Sequence, residues 1–263
     1  MSNPSAPWQE PPDEFTLPHD RIDIWRVELD AQAHAEQELK SLLAGDELDR
    51  AARFHFDRDR LRYIRGRTAL RILIGRYLRL PPGDIRFQYE NNGKPEIASP
   101  DDFRGLRFNV SHSGGLALMA FGCAKTIGID VEKTHPMPDL VDIAKRFFSA
   151  REVQAILALR ESKREEAFFA CWTRKEAFLK ATGCGLSYPL SGFSVSVDPD
   201  QAAELLEIEG SADRARQWFL IDVMPADGFY AALACKGERS QTAYWNFVPS
   251  RVGPRPIGVG GID

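Results

Sequence analysis

Residues 127–133 read Ile-Gly-Ile-Asp-Val-Glu-Lys, and their alternation narrows what the segment can become. A period of two belongs to a strand, which sends Ile129 and Val131 to one face and Asp130 and Glu132 to the other. Two carboxylates on one strand face repel each other unless a cation or protons neutralise them. Oxygen-only ligands in small number suit magnesium or manganese, which keep several waters and take phosphate oxygens. The same pair also fits a solvated strand face on which Lys125 and Lys133 balance the charge.

A third carboxylate comes from Trp172-Thr173-Arg174-Lys175-Glu176-Ala177-Phe178-Leu179-Lys180. The pattern predicts a helix over 162–182, closed by Gly183 and Gly185. At about 100° per residue, Phe169, Trp172, Glu176 and Lys180 share one face. A glutamate beside Phe169 and Trp172 is partly desolvated and needs a partner. Lys180, four residues on, is one candidate and a metal is the other.

Phe108-Asn109-Val110-Ser111-His112-Ser113-Gly114-Gly115 is expected to end a strand in small polar residues and glycines. Backbone N–H groups and two hydroxyls beside an imidazole suit phosphate oxygens. Gly93-Lys94-Pro95 projects a lysine from a rigid turn. Arginines crowd residues 50–76; most belong to a solvated face, and a few could clamp a phosphate bidentately. The chain has no GxxxxGK[ST], so a P-loop is excluded, and neither GxGxxG nor GxSxG is present.

With 263 residues, the chain has room for one large domain or two modest ones. A formal net charge of −4 argues against nucleic-acid binding, which needs a basic footprint. Cys123, Cys171, Cys184 and Cys235 show neither CxxC pairing nor zinc-ligand spacing, so free thiols in a reducing cytoplasm are expected. Residues 1–18, rich in proline, are expected to be a disordered lead-in that is neither signal peptide nor anchor. No run is long enough to span a membrane.

Strands are expected at 22–29, 85–89, near 106–111, 115–122 and 127–132, then at 193–197, 218–223 and 229–235. Helices are expected at 31–44 and 46–55, broken near Gly45, and at 57–80, ended by Pro81-Pro82-Gly83. Asn91-Asn92-Gly93 is a turn, and helices follow at 139–147, 149–160 and 162–182. Each half thus runs helix, longer helix, then strands. Ser113–Phe121 and Ala226–Ala234 both place a glycine before a small-residue apolar strand. The expectation is an α+β fold of two similar α/β halves related by a pseudo-twofold axis, with the active site in the cleft between them. The N-terminal half is drawn as 19–133, the C-terminal half as 134–248 and a flexible tail as 249–263.

In this order, the blocks resemble the 4′-phosphopantetheinyl transferase family, in its large Sfp-type branch. They are Arg53-Phe54-His55-Phe56 with Asp59-Arg60-Leu61-Arg62, Gly93-Lys94-Pro95, residues 108–113 and residues 127–133. Arg146-Phe147-Phe148-Ser149 with Glu152, residues 172–180, Gly185-Leu186-Ser187 and Pro189-Leu190 follow. The likeness covers roughly residues 22–236.

The resemblance implies a magnesium-dependent transferase, a holo-[acyl-carrier-protein] synthase. Coenzyme A would be the donor and a serine on an apo acyl- or peptidyl-carrier protein the acceptor. Asp130, Glu132 and Glu176 would hold Mg²⁺, with Mn²⁺ as the alternative, on the pyrophosphate. Lys180 and Lys175 would assist the leaving phosphate, and Ser111 and His112 would contact coenzyme A phosphates. Lys94, Arg50 and Arg53 are candidates for the 3′-phosphate, with Arg62 nearby. Glu176 is the first candidate to help deprotonate the carrier serine, and Glu152 the second.

Glu47 stands where some relatives carry a phosphate-binding lysine, Arg50 where some carry lysine, and His135 replaces another lysine. A fused pair of halves implies a monomer in the cytoplasm. Two other readings remain at this stage: a non-catalytic coenzyme A or nucleotide-binding module, and an interaction protein with a structural ion-pair network.

Overall fold

Three apolar clusters set the layering, one between two sheets and two between a sheet face and the helices that cover it. The computed structural model describes residues 8–12, 15–31, 35–89, 93–98, 105–123, 126–185 and 188–248. Its elements are β1 (Arg21–Glu28), α1 (Glu36–Lys40), α2 (Gly45–Ala52), α3 (Asp57–Leu78), β2 (Phe87–Tyr89), β3 (Pro95–Ile97), β4 (Leu106–Ser113), β5 (Leu116–Cys123) and β6 (Ile127–Lys133). Then come α4 (Leu140–Phe147), α5 (Ala150–Ala158), α6 (Glu161–Thr182), β7 (Phe193–Val195), β8 (Leu205–Ile208), α7 (Ala212–Ala215), β9 (Trp218–Val223), β10 (Phe229–Lys236) and β11 (Gln241–Asn246). The result is a mixed α+β fold.

One sheet has the order β11-β1-β5-β4 and another β6-β10-β9. Ile22, Ile24, Leu118 and Ala120 of the first join Ile129, Val131, Ile221 and Leu233 of the second in one cluster, so the sheets bury a face against each other. On its other face the first sheet packs Trp25, Val27, Met119 and Phe121 under Leu70 and Leu73 of α3. Ala232 and Ala234 of the second sheet pack under Phe178 and Ala181 of α6. The layers therefore run helix, sheet, sheet, helix.

Several sequence expectations need correction. The helix expected over 31–44 is reduced to α1, and Gly45 opens α2 instead of breaking a longer run. The strand ending expected near 111 continues to Ser113, so Ser111 and His112 lie in the ladder opposite Leu118 and Ala117. β6, assigned to the N-terminal half, pairs with β10. β11 returns from the C-terminal half and pairs in parallel with β1.

The expected disordered lead-in also fails where it is described. Gln9 bridges Trp245 beside β11, and Phe15 stacks on Trp25 with ring centroids 5.3 Å apart. Proline content suggested looseness, but the aromatic side chains anchor the segment by burial. Residues 1–7, the Asn91-Asn92 turn, Lys125, Leu186-Ser187 and the tail 249–263 lie outside the described residues. No helix among the described residues is long and apolar enough to cross a membrane.

α6 rests closely on β6 at Gly128. A Cβ there would lie 2.1 Å from the Ala177 carbonyl oxygen and 2.3 Å from the Ala181 nitrogen. Backbone atoms of a packed helix cannot yield that much without moving the helix. Gly128→Ala is expected to cost about 3 kcal/mol or more, measured as a lowered midpoint in urea unfolding.

Candidate functional site

β4 and β6 are the edge strands at which the two sheets meet, and side chains close the gap between them. Asn109, Ser111 and Ser113 project from β4 with a period of two. Asn109 Oδ1 accepts from the Ile129 N–H at 2.9 Å, Ser111 Oγ from Val131 at 3.4 Å and Ser113 Oγ from Lys133 at 3.1 Å. The serine hydroxyls also donate, Ser111 to Asp130 Oδ1 at 2.9 Å and Ser113 to Glu132 Oε2 at 2.7 Å. Each serine thus satisfies a backbone donor, buried at Val131 and exposed at Lys133, and orients a carboxylate.

Lys180 completes this arrangement from α6. Its Nζ stands 2.6 Å from Asp130 Oδ1 and 2.7 Å from Ser111 Oγ. Ser111 is buried and its hydroxyl is already shared by three groups, so it positions Asp130 and Lys180 rather than presenting itself to a phosphate. Lys180 is turned to Asp130, so the i,i+4 pair with Glu176 does not form. Glu176 is half-buried, with no hydrogen bond or ion pair to its carboxylate among the described residues.

All three carboxylates have pKa values raised above the ordinary range. Burial is the main cause for each, and at Asp130 it outweighs the neighbouring ammonium of Lys180. The charge of Asp130 adds to the shift of Glu132, and the charges of Asp130 and Glu132 add to that of Glu176. Asp130 Oδ2 is buried without a hydrogen-bond partner among the described residues. Mutually repelling oxygens and an orphaned carboxylate oxygen fit a hard divalent cation. The ligand set is not closed: among the described residues no three His, Cys, Asp or Glu side chains are already gathered as a metal cluster.

Two cavities adjoin across Gly93, Pro95 and Val110. One, of about 650 Å³, lies between β4 and α6 and is lined by Lys94, Phe108, Glu176, Lys180 and Cys184, among others. The other, of about 520 Å³, lies under α3, with Arg50, Tyr63, Arg62, Arg67, Tyr89 and His112 in its wall. Desolvation lowers the pKa of His112, and the positive charges of Lys180, Arg50 and Arg62 lower it further. Arg50 lies over the Tyr63 ring at 5.5 Å. Arg62 forms a fork with Asp30, both contacts 2.7 Å. Lys94 donates to the Lys180 carbonyl at 3.1 Å, capping the end of α6. Arg53 is exposed and lines neither cavity.

Two expected site residues are placed elsewhere. Lys175 Nζ contacts both oxygens of Glu152, at 2.7 and 2.8 Å, and both side chains are fully buried. Glu152 also accepts from the Ser149 and Val195 backbone N–H groups, each at 2.8 Å, and Lys175 donates to the Phe193 carbonyl. The pair ties α5, α6 and β7 together and reaches neither cavity, so Glu152 as base and Lys175 as phosphate ligand are both corrected. Glu47 is likewise interior, joined to Arg67 and, at 2.6 Å, to Arg71. The sequence reading offered the Ser113 hydroxyl to phosphate, whereas it holds Glu132, and it assigned no role to Asn109, whose spacing from Ser111 and Ser113 is the signal that could have revealed it.

A model of the 4′-phosphopantetheinyl transferase superfamily matches residues 126–234, and one for a 4′-phosphopantetheinyl transferase N-terminal region matches 30–123. The 4′-phosphopantetheinyl transferase HetI of Nostoc sp. is 38% identical over 240 residues, covering 91% of this chain and 98% of its own. The 4′-phosphopantetheinyl transferase Sfp of Bacillus subtilis is 36% identical over 181 residues, covering 68% and 78%. Among solved structures, the holo-[acyl-carrier-protein] synthase of Thermotoga maritima aligns with 43% of this chain and 63% of its own, at TM-score 0.32 and 22% identity, too weak a likeness to bear on fold or function. The chain belongs to the 4′-phosphopantetheinyl transferase superfamily and is of the Sfp type.

Glu152 of α5 and Glu176 of α6 should behave oppositely in metal-free protein. Glu152→Ala strands a buried ammonium and is expected to cost about 3–5 kcal/mol. Glu176 holds its proton more tightly folded than unfolded, so its carboxylate costs nothing below the ordinary range and destabilises as pH rises through the raised folded value. Glu176→Gln is therefore expected to raise the thermal midpoint at pH 7 and leave it unchanged at pH 3, read by scanning calorimetry at both pH values.

Proposed function

We propose that the protein transfers the 4′-phosphopantetheine moiety of coenzyme A to a serine of an apo acyl- or peptidyl-carrier protein, releasing adenosine 3′,5′-bisphosphate. The observation that carries this is the trio Asp130, Glu132 and Glu176, which presents an orphaned oxygen and an unpaired carboxylate beside a cavity carrying Lys180. The trio suits Mg²⁺, or Mn²⁺ in its place. Bound there, the metal supplies charge neutralisation to the pyrophosphate oxygens.

The chain's own groups account for the remaining chemistry. The carrier serine oxygen bonds to the phosphorus bearing pantetheine, and the bond from that phosphorus to the bridging oxygen breaks. The serine proton passes to Glu176, directly or through a bound water, since this carboxylate opens on the cavity. Lys180 stands with its ammonium at the cavity wall and supplies positive charge to the departing bisphosphate. Ser111 and Ser113 hold Asp130 and Glu132 in fixed orientations.

A pseudo-twofold relation between the halves is supported by the repeated order of elements. Each contributes two short helices, a 22-residue helix and antiparallel strands. The cleft then falls at the β4–β6 junction, where the residues of both halves converge. Free thiols, three of them buried, suit a cytoplasmic setting, and a fused pair of halves suits a monomer.

The test is a carrier panel incubated with protein, coenzyme A and Mg²⁺, read by intact mass. A phosphopantetheine-sized gain on at least one carrier is expected. Asp130→Ala should slow the gain by about a hundredfold or more. A variant as active as the parent would remove Asp130 from the metal site.

A further inference from the structure

Resting on the metal reading just proposed, one contact at the trio bears on how metal and donor come to bind. Asp130 alone of the three carboxylates is paired with a cation among the described residues: Lys180 Nζ stands 2.6 Å from its Oδ1. Ser111 Oγ meets the same carboxylate oxygen at 2.9 Å and the same ammonium at 2.7 Å, so the three groups close a triangle. Glu132 is held by the Ser113 hydroxyl, and Glu176 has neither hydroxyl nor cation.

The triangle also determines which group faces the cavity. The Asp130 side chain is 4% exposed and that of Lys180 29%. Lys180 lines the cavity of about 650 Å³ beside Glu176, whereas Asp130 and Glu132 line neither that cavity nor the one under α3. A divalent cation approaching from the cavity therefore meets an ammonium before it reaches the carboxylate behind it. Like charges repel strongly where little water lies between them to screen the field. The ammonium takes Asp130 Oδ1 and leaves Oδ2, which is buried without a partner. Metal and ammonium share such a site readily only when more negative charge joins them, and the donor's pyrophosphate brings it.

We propose that Lys180 makes the metal site conditional: Mg²⁺ or Mn²⁺ binds the trio weakly by itself and tightly together with a pyrophosphate, which draws the ammonium off Asp130. Lys94 donates to the Lys180 carbonyl at 3.1 Å, so the backbone is held and the flexible four-carbon stem makes the movement. By linkage, metal and donor each tighten the other by one and the same factor.

The experiment follows Mn²⁺ binding through the electron paramagnetic resonance of the free ion, on the full chain without nucleotide. Lys180→Gln and Lys180→Met each remove the charge and should tighten Mn²⁺ about tenfold or more, within the usual range of coupling between sites. Lys180→Arg keeps the charge and should stay within about threefold of the parent. In calorimetry, the factor by which Mn²⁺ tightens coenzyme A should fall about fivefold or more in Lys180→Gln. Uncharged variants that bind Mn²⁺ no more tightly than the parent overturn the inference and leave the metal site standing, as does equal tightening in Lys180→Arg. Mn²⁺ bound as tightly by Asp130→Asn as by the parent overturns the site and the inference together. Thermal melts identify which of the two uncharged variants is folded, and either one decides.

Discussion

The structure depends on the row of side chains that joins β4 to β6. Two sheet edges meet there, and an open edge leaves unpaired N–H groups in a protein interior. Asn109, Ser111 and Ser113 answer three successive donors of β6, so polar side chains complete the connection between the strands. Their period of two sets the height of β6 against β4. Once that height is set, Ser111 faces Asp130 and Ser113 faces Glu132. The bonds that seal the two sheets are therefore made by the same atoms that orient the acidic site.

α6 separates structural from chemical charge along a single turn. Lys175 and Glu176 are neighbours in sequence, yet one is fully buried against Glu152 and the other opens on the cavity. A rotation of about 100° per residue is enough to send them to different environments. The buried pair is satisfied by backbone partners on both sides, as a low-dielectric ion pair must be. Glu176 lacks such partners, and burial together with the charges of Asp130 and Glu132 raises its pKa. Gly128 permits this division, since only a residue without a side chain lets α6 come close enough for Lys180 to reach Asp130.

Much of this was legible in the sequence, and what escaped did so for identifiable reasons. The alternation at 127–133 put Asp130 and Glu132 on one strand face and the helical spacing put Glu176 and Lys180 on one helix face, because local periodicity determines which way side chains face; the family resemblance is what joined the two. Orientation across elements was not legible. Glu152 and Lys175 belong to the same family blocks as the site residues, and nothing local says that they turn toward each other. Composition misled at residues 8–18, where the prolines drew attention from Trp8, Phe15 and Leu17, each of which finds an apolar surface. β11 was missed because its partner β1 lies at the far end of the chain.

That last pairing has a bearing on how the protein comes into being. Arg26 of β1 contacts Asn246 of β11 across 220 positions, and Gln9 is bonded on both sides to the same strand. During synthesis, β1 leaves the ribosome early and must wait for nearly the whole polypeptide before its outer edge is covered. Contacts of such long separation slow folding and leave a strand exposed to wrong partners in the interval. Because β1 takes its outer partner from β11, the two halves are interlocked by a shared sheet and not merely packed side by side.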